Sequence, residues 1–283
     1  MNYPPAIDEI CSHARRLPCA PVLLPQLMRV IKDPRSTVNE IAQLILVDSA
    51  LAAGTLRMAN SAAVAPEEPV SDLGQAVVLL GYDEIYRLAS LTALARWEEF
   101  HQGSLPWDPG AFARHSFGMA VAAEFLSERS GNGDPIAAYS AGLVSHIGRL
   151  ALTHHCASYY PSVVERARKV AWEDAERAVF GYDSRDIGIV LLQDWHFPAQ
   201  FVTTLVFRTR CGDAPAEDQP FLAVLHAAES VACSLASGGV LSGSVFELQA
   251  GFVGVFDITP ELMAEAKDVA AGRVARQFGP AAA

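Results

Sequence analysis

Apolar residues recur every three to four positions along most of the chain, and long runs that alternate strictly between apolar and polar residues are nearly absent. Thr37 and Glu40 form a capping box ahead of one such stretch, whose apolar face consists of Val38, Ile41, Ala42 and Ile45. This spacing is typical of amphipathic helices. The pattern therefore predicts an all-α, multi-helix fold with at least half of the residues helical and little sheet.

Short polar, proline and glycine signals mark several helix boundaries. An acceptor side chain followed by proline, which suits a first helical position, occurs at Asp108-Pro109, Asp134-Pro135 and Thr259-Pro260. The last of these opens a final helix that is predicted to end near Phe278. Gly81 and Gly131 are predicted C-terminal stops.

A segment rich in helix breakers, residues 102–106, separates two predicted lobes. We expect an N-terminal helical lobe over residues 1–104 and a larger helical lobe over residues 105–283. Together they form one predicted module over about residues 15–280.

Composition and charge narrow the class of protein. The chain has 283 residues, is 51% hydrophobic and carries a formal net charge of −11, which predicts a globular protein that binds neither nucleic acid nor anionic lipid. It contains no apolar run of the roughly 20 residues that a membrane helix needs, and its N-terminus does not resemble a signal peptide. We therefore expect a cytoplasmic protein. Reduced thiols are expected at Cys11, Cys19, Cys156, Cys211 and Cys233.

Two segments carry the most specific motifs. The first begins with D-S-A-L at Asp48, continues through A-N-S-A around Asn60 and ends with A-V-V-L-L-G at Gly81. The second is G-L-V-S-H-I-G-R-L at residues 142–150, followed by related pieces at 180–188 and 194–198. These motifs closely resemble the HDOD family. The resemblance implies an N-terminal helical lobe packed on a degenerate HD-type lobe, and a role in bacterial signal transduction.

The resemblance also assigns positions to a degenerate metal pocket. Active HD-type phosphohydrolases use one His, a consecutive His-Asp pair and a distant Asp, and these positions correspond to His115, Ser145, His146 and Glu229. A further histidine of the family corresponds to Ser184. Ser145 replaces the His of the pair and His146 replaces its Asp, and a serine hydroxyl is a poor metal ligand. The resemblance thus implies a vestigial pocket with no catalytic residues, no metal and no cofactor.

Simpler structural roles are the alternatives for the polar residues. His115 and His146 are expected to be hydrogen-bonded core histidines, with metal chelation as the alternative. His226 and Glu229 lie at i and i+3 on one helical face, a spacing that favours a simple hydrogen bond over chelation.

A second candidate site is a recognition cleft between the lobes, lined by Asp48, Arg57, Asn60 and Ser61. For Asn60 the structural expectation is a left-handed conformation that ends its helix, with the side chain bonded to local backbone. The spacing of these residues does not decide between a binding role and a structural one.

The sequence therefore predicts a non-enzymatic regulatory module that binds a protein partner or a small effector. Phosphate-binding, dinucleotide-binding, serine-hydrolase and zinc-protease motifs are absent from it. The alternative is a divergent metal-dependent phosphohydrolase of the HD type that uses His115, His146, Glu229 and one nearby carboxylate.

Overall fold

A computed structural model describes residues 4–14, 21–100, 109–235 and 246–279, without the side chains of residues 97–100 and 109. The structure is 74% helical, and no strand occurs in the residues described. The predicted all-α class is thereby confirmed. None of the described helices is both long enough and apolar enough to cross a membrane.

The helices are, in chain order, α1 (Ile7–Ala14), α2 (Leu23–Lys32), α3 (Val38–Leu46), α4 (Ser49–Ala59), α5 (Leu73–Leu80), α6 (Tyr82–Phe100), α7 (Pro109–Ser130), α8 (Pro135–Val144), α9 (Ile147–His155), α10 (Tyr160–Ala167), α11 (Trp172–Phe180), α12 (Ser184–Asp194), α13 (Ala199–Val206), α14 (Gln219–Leu235), α15 (Ala250–Gly254) and α16 (Pro260–Phe278). Single 3₁₀ turns occur at Ala157–Tyr159 and Cys211–Asp213.

The chain divides into two compact units, a smaller one of residues 18–97 and a larger one of residues 1–17 and 98–283. The predicted lobes of residues 1–104 and 105–283 differ from this division chiefly at α1. Within the larger unit, α1 packs against α9 and α12, and it buries Ile10, Cys11 and Ala14. Burial of this apolar face explains why α1 belongs with the C-terminal helices.

The predicted helix signals are found where the structure describes them. Thr37 and Glu40 form the capping box of α3, while Asp134 and Thr259 accept backbone N–H bonds at the starts of α8 and α16. Gly81 follows α5 with a φ of 81°, a conformation that glycine adopts without strain. α7 begins at Pro109 as predicted, but its predicted cap Asp108 lies outside the described residues.

The core of the larger unit is organised around α7, which packs against α8, α14 and α16. Glycine permits the close approach of α8 to α7. A Cβ atom on Gly142 of α8 would lie 2.9 Å from Ala120 Cα of α7, a distance that no side chain tolerates. A similar approach joins α9 and α12 at Gly148. These contacts bring polar residues from distant parts of the sequence into one interior.

Candidate functional site

Three predicted pocket residues, His115, His146 and Glu229, meet in the interior of the larger unit. The Nε2 atoms of the two imidazoles lie 3.2 Å apart, and His146 Nε2 lies 3.1 Å from Glu229 Oε2. His115 Nε2 is 3.7 Å from Glu229 Oε1. All three residues are buried. The structure therefore assembles them into what we call the His–His–Glu cluster.

Each member of the cluster comes from a different part of the helical scaffold. His115 lies on α7, and Glu229 lies on α14, which packs against α7. His146 directly precedes α9, in the short break between α8 and α9. The close approach of α8 to α7 at Gly142 carries this break toward His115.

The two predicted serines have other roles. Ser145 Oγ donates a hydrogen bond of 2.6 Å to Ala141 O, one turn earlier along the chain. Ser184 begins α12, and its backbone N–H donates to Glu176 Oε2 at 2.8 Å. A Cβ atom on Gly148 would lie only 2.0 Å from the carbonyl oxygen of Ser184, so this serine packs directly against α9.

Arg208 joins the cluster, although the sequence analysis did not identify it. It follows α13, and its Nη2 lies 2.6 Å from Glu229 Oε1 and 3.3 Å from His146 Nε2. No motif marks this arginine in the sequence, and it stands 62 residues after His146. Only the packing of α13 on α14 could have pointed to it.

In the cluster, the positive charge of Arg208 offsets the negative charge of Glu229. Burial would raise the pKa of Glu229, but the guanidinium of Arg208, together with hydrogen bonds from His115 and His146, outweighs burial and holds this pKa well below its usual value. Burial lowers the pKa of His146 to about 3, since it outweighs the opposing effect of Glu229. At neutral pH the cluster therefore contains an ionised Glu229, a charged Arg208 and a neutral His146.

The donor set matches the spacing of a metal site, but its surroundings do not. Zn–N bonds of about 2.0–2.1 Å in a tetrahedral site place neighbouring donors about 3.4 Å apart, close to the distances between the three side chains. Arg208, however, brings a positive charge and no acceptor atom to the same place. In addition, His115 Nδ1 is buried without a hydrogen-bond partner among the described residues, whereas a metal-binding histidine normally donates from its second nitrogen. As arranged, these residues do not fit a metal ion.

His226 does not pair with Glu229, contrary to the simple hydrogen bond that its spacing favoured. Its Nδ1 lies 3.4 Å from Cys211 Sγ, and its Nε2 accepts the backbone N–H of Gln249 at 3.0 Å. Burial and Arg208 lower the pKa of His226 to about 4. The residue is therefore a neutral core histidine. Cys11, Cys156, Cys211 and Cys233 form no disulfide with another described residue, whereas Cys19 lies outside the described residues.

A cavity of about 450 Å³ lies beside the cluster in the larger unit. Its lining includes Arg149, Trp172, Arg185, Arg208, His226 and Phe246. The side chain of Arg208 is 15% exposed, so this arginine reaches both the buried cluster and the cavity.

The four predicted recognition residues divide into two pairs. Asp48 and Asn60 make structural contacts, whereas Arg57 and Ser61 line a groove. Asp48 caps α4 and forms an ion pair of 2.6 Å with Arg96, so it has a structural role in the smaller unit. Arg57 and Ser61 line a surface groove of about 1260 Å³ within the same unit, together with Val78, Leu79, Tyr82 and Arg87. Val78 is 70% exposed, which gives this Arg57 groove an apolar wall.

Asn60 ends α4, but not in the predicted left-handed conformation. Its φ is −94° and its ψ is 10°. The side-chain amide donates to Leu56 O and to Val70 O, and its oxygen accepts the N–H of Val70, each at 2.8 Å. Bonds to two separate backbone segments hold Asn60, so a strained helix end is unnecessary.

An all-helical fold is what the resemblance of the sequence motifs to the HDOD family implies, and the structure has this fold. The chain belongs to the HDOD family, since the family model for the HDOD domain matches residues 17–210. No curated protein matches the chain.

Solved structures show the same fold. An HDOD domain protein of unknown function from Geobacter sulfurreducens is 22% identical, with a TM-score of 0.68 over 96% of this chain and 97% of that one. A protein from Shewanella amazonensis SB2B that is provisionally named a phosphohydrolase is 22% identical, with a TM-score of 0.64 over 98% and 95% of the two chains. A provisionally named signal transduction protein from Marinobacter aquaeolei VT8 is 19% identical, with a TM-score of 0.70 over 93% of this chain and 58% of that one.

Proposed function

We propose that this protein is a non-enzymatic regulatory module of bacterial signal transduction that acts by binding a protein partner or a small effector. Membership of the HDOD family supports the signalling role. The name of the Marinobacter aquaeolei protein points the same way. The proposal that the module is not an enzyme rests on the chemistry of the His–His–Glu cluster.

The observation that carries this proposal is the 2.6 Å ion pair between Arg208 and Glu229. A hydrolytic metal centre must hold its ion and still leave a position for the attacking water. Glu229 is the carboxylate of the cluster, and Arg208 already neutralises it. The hydroxyl of Ser145 is bonded to Ala141 O and supplies no further ligand.

One observation favours a second candidate, a divergent metal-dependent phosphohydrolase. The donor atoms of His115, His146 and Glu229 lie within 4.8 Å of one another, and two histidines with one glutamate form the ligand set of known hydrolytic zinc sites. This candidate would require Arg208 to leave the cluster.

Metal content and turnover of the purified protein distinguish the two candidates. We expect no stoichiometric transition metal and no hydrolysis of phosphomonoesters or cyclic dinucleotides in excess Mn²⁺. Turnover that is lost in the His115→Ala variant would overturn the non-enzymatic proposal. One metal per chain without turnover would assign a structural site and leave the binding role in place.

The Arg57 groove supplies the binding surface in this proposal. It combines the exposed Arg57 with the apolar side chains of Val78 and Leu79, which are 70% and 45% exposed. Exposed apolar patches bordered by charge are typical of interaction sites. The expected partner surface therefore places an acidic group beside an apolar side chain.

Charge reversal tests this surface. Arg57→Glu should abolish retention of the partner in affinity capture followed by mass spectrometry, because it places like charges opposite one another. Arg29→Glu is the matched control, since Arg29 is an exposed arginine of the same unit outside the groove lining. Equal capture by both variants at an unchanged melting temperature would rule out the groove as the contact surface.

A further inference from the structure

Arg208 occupies a particular place in the His–His–Glu cluster. Its Nη2 contacts both Glu229 Oε1 and His146 Nε2, the two residues that would share an ion with His115. We infer that the Arg208 guanidinium supplies the positive charge that a metal ion would supply here, and that its removal uncovers a site for one divalent cation on His115, His146 and Glu229. This inference goes beyond the proposed function, because it concerns what keeps the donors together and what keeps metal out.

The donor atoms of the cluster are spaced as the ligands of one ion would be. His146 Nε2 lies 3.2 Å from His115 Nε2 and 3.1 Å from Glu229 Oε2, and His115 Nε2 lies 3.7 Å from the other carboxylate oxygen, Oε1. These distances are close to the value of about 3.4 Å that a tetrahedral zinc ion imposes on its ligands. Arg208 Nη2, at 2.6 and 3.3 Å from two of these donors, stands at a similar spacing. The guanidinium nitrogen therefore occupies the neighbourhood of a fourth ligand but cannot bind an ion.

The charge of Arg208 opposes the binding of a metal ion. A buried carboxylate needs a cation or several hydrogen bonds, because its transfer out of water is costly. Arg208 supplies that cation to Glu229, whose side chain is 6% exposed. A divalent ion among the same donors would lie within a few ångströms of the guanidinium, and their repulsion would oppose binding. One of the two cations excludes the other.

An ion would have access to the donors once Arg208 is replaced. Arg208 lies beyond the end of α13, so its substitution interrupts no helical hydrogen bond. Its side chain also lines the 450 Å³ cavity, which gives an ion a route to the donors. His115, His146 and Glu229 are fixed by α7, the α8–α9 break and α14, so the site would be largely formed before an ion enters.

The experiment measures Zn²⁺ and Co²⁺ binding by isothermal titration calorimetry and elemental analysis. We expect Arg208→Met and Arg208→Gln to bind one ion per chain at least about 100-fold more tightly than the native protein, because one nearby positive charge has been removed. The control is Arg210→Met, since Arg210 is a 69% exposed neighbour outside the cluster. The double variant Arg208→Met/His146→Ala should lose the gain, which separates this site from the cysteine thiols.

The outcomes are distinguishable from those of the proposed function because no turnover is measured. Native protein that binds one ion as tightly as Arg208→Met would overturn the inference, as would folded Arg208 variants that gain no binding. Variants that fold only when Zn²⁺ is added would support it, since the ion would then replace the missing cation. Variants that remain unfolded with Zn²⁺ would count against it.

Discussion

Two buried arginine–glutamate systems in the larger unit are built differently. In one, Glu176 accepts hydrogen bonds from Tyr160 Oη at 3.0 Å, Trp172 Nε1 at 2.9 Å and the backbone N–H of Ser184 at 2.8 Å. Arg149 faces it at 3.4 Å and also pairs with Glu173 at 2.9 Å. We call this the Arg149–Glu176 network. The other system is the His–His–Glu cluster with Arg208.

The difference lies in how the polar atoms are satisfied. Each donor to Glu176 comes from a separate, fixed group, as in a network that stabilises a core. In the cluster, His115 Nε2, Glu229 Oε2 and Arg208 Nη2 all lie close to the single atom His146 Nε2, and no described residue bonds to His115 Nδ1. One nitrogen cannot satisfy three partners at once. The network is organised for stability, whereas the donors of the cluster have only the spacing of an ion site.

We expect the largest loss of stability from a substitution in the Arg149–Glu176 network. Glu176→Gln should lower the free energy of unfolding by about 3 kcal/mol or more, because it removes a fully buried charge that faces the buried Arg149. Chemical denaturation measures the loss. Glu173→Gln is the matched control and should cost less, since the Glu173 side chain is 21% exposed. An equal cost for both variants would contradict the view that full burial makes Glu176 critical.

The corresponding change in the cluster should cost less. Glu229→Gln should lower the free energy of unfolding by about 2 kcal/mol, because Arg208 is partly exposed beside a cavity and can turn toward water. Denaturation under the conditions used for Glu176→Gln gives the comparison. A larger loss of stability for Glu229→Gln than for Glu176→Gln would contradict the view that the Arg149–Glu176 network contributes more to stability than the His–His–Glu cluster does.

The cluster should also make stability depend on pH. The pKa of His146 is lowered to about 3 in the folded protein, from about 6.5 in an unfolded chain, so between these values the unfolded state binds the additional proton. The contribution of the neutral His146 to the free energy of unfolding is therefore fully present well above pH 6.5. It falls as the pH drops, by about 1.5 kcal/mol between pH 6.5 and 5 for one such group. Melting curves over this range should show a shallower slope for His146→Gln. An unchanged slope would mean that His146 is protonated in the fold.

The smallest effect concerns one hydrogen bond of the network. Tyr160→Phe removes the hydroxyl that donates to Glu176 Oε1 and leaves three other partners, so it should cost about 1 kcal/mol. The same denaturation experiment applies. A cost near that of Glu176→Gln would show that the donors act together rather than one by one.

Local signals in the sequence predicted much of the fold. The caps at Thr37, Asp134 and Thr259 involve residues three positions apart, so the local sequence pattern predicts them directly. The resemblance to the HDOD family also pointed to His115, His146 and Glu229. Their assembly depends on helix packing, which no local pattern specifies.

The features that sequence analysis missed depend on long-range geometry. Arg208 pairs with residues 62 positions before it and 21 after it, and no spacing rule connects them. Asn60 was expected to be left-handed because asparagine tolerates that conformation. Instead, the side chain of Asn60 forms hydrogen bonds with the backbone of Val70, ten residues away, and the helix ends without a left-handed residue. In both cases a tertiary contact decided the outcome.

The pairing of Asn60 with Val70 makes the connection between α4 and α5 a closed ring. The side-chain amide meets both the N–H and the carbonyl oxygen of Val70, as a neighbouring strand would, so the ends of the connection are fixed independently of the residues between them. Lengthening such a ring costs only about 0.6 kcal/mol for each doubling of its length. The exposed residues Glu67 and Glu68 thus mark a point where a peptide tag can be inserted while both helices keep their positions.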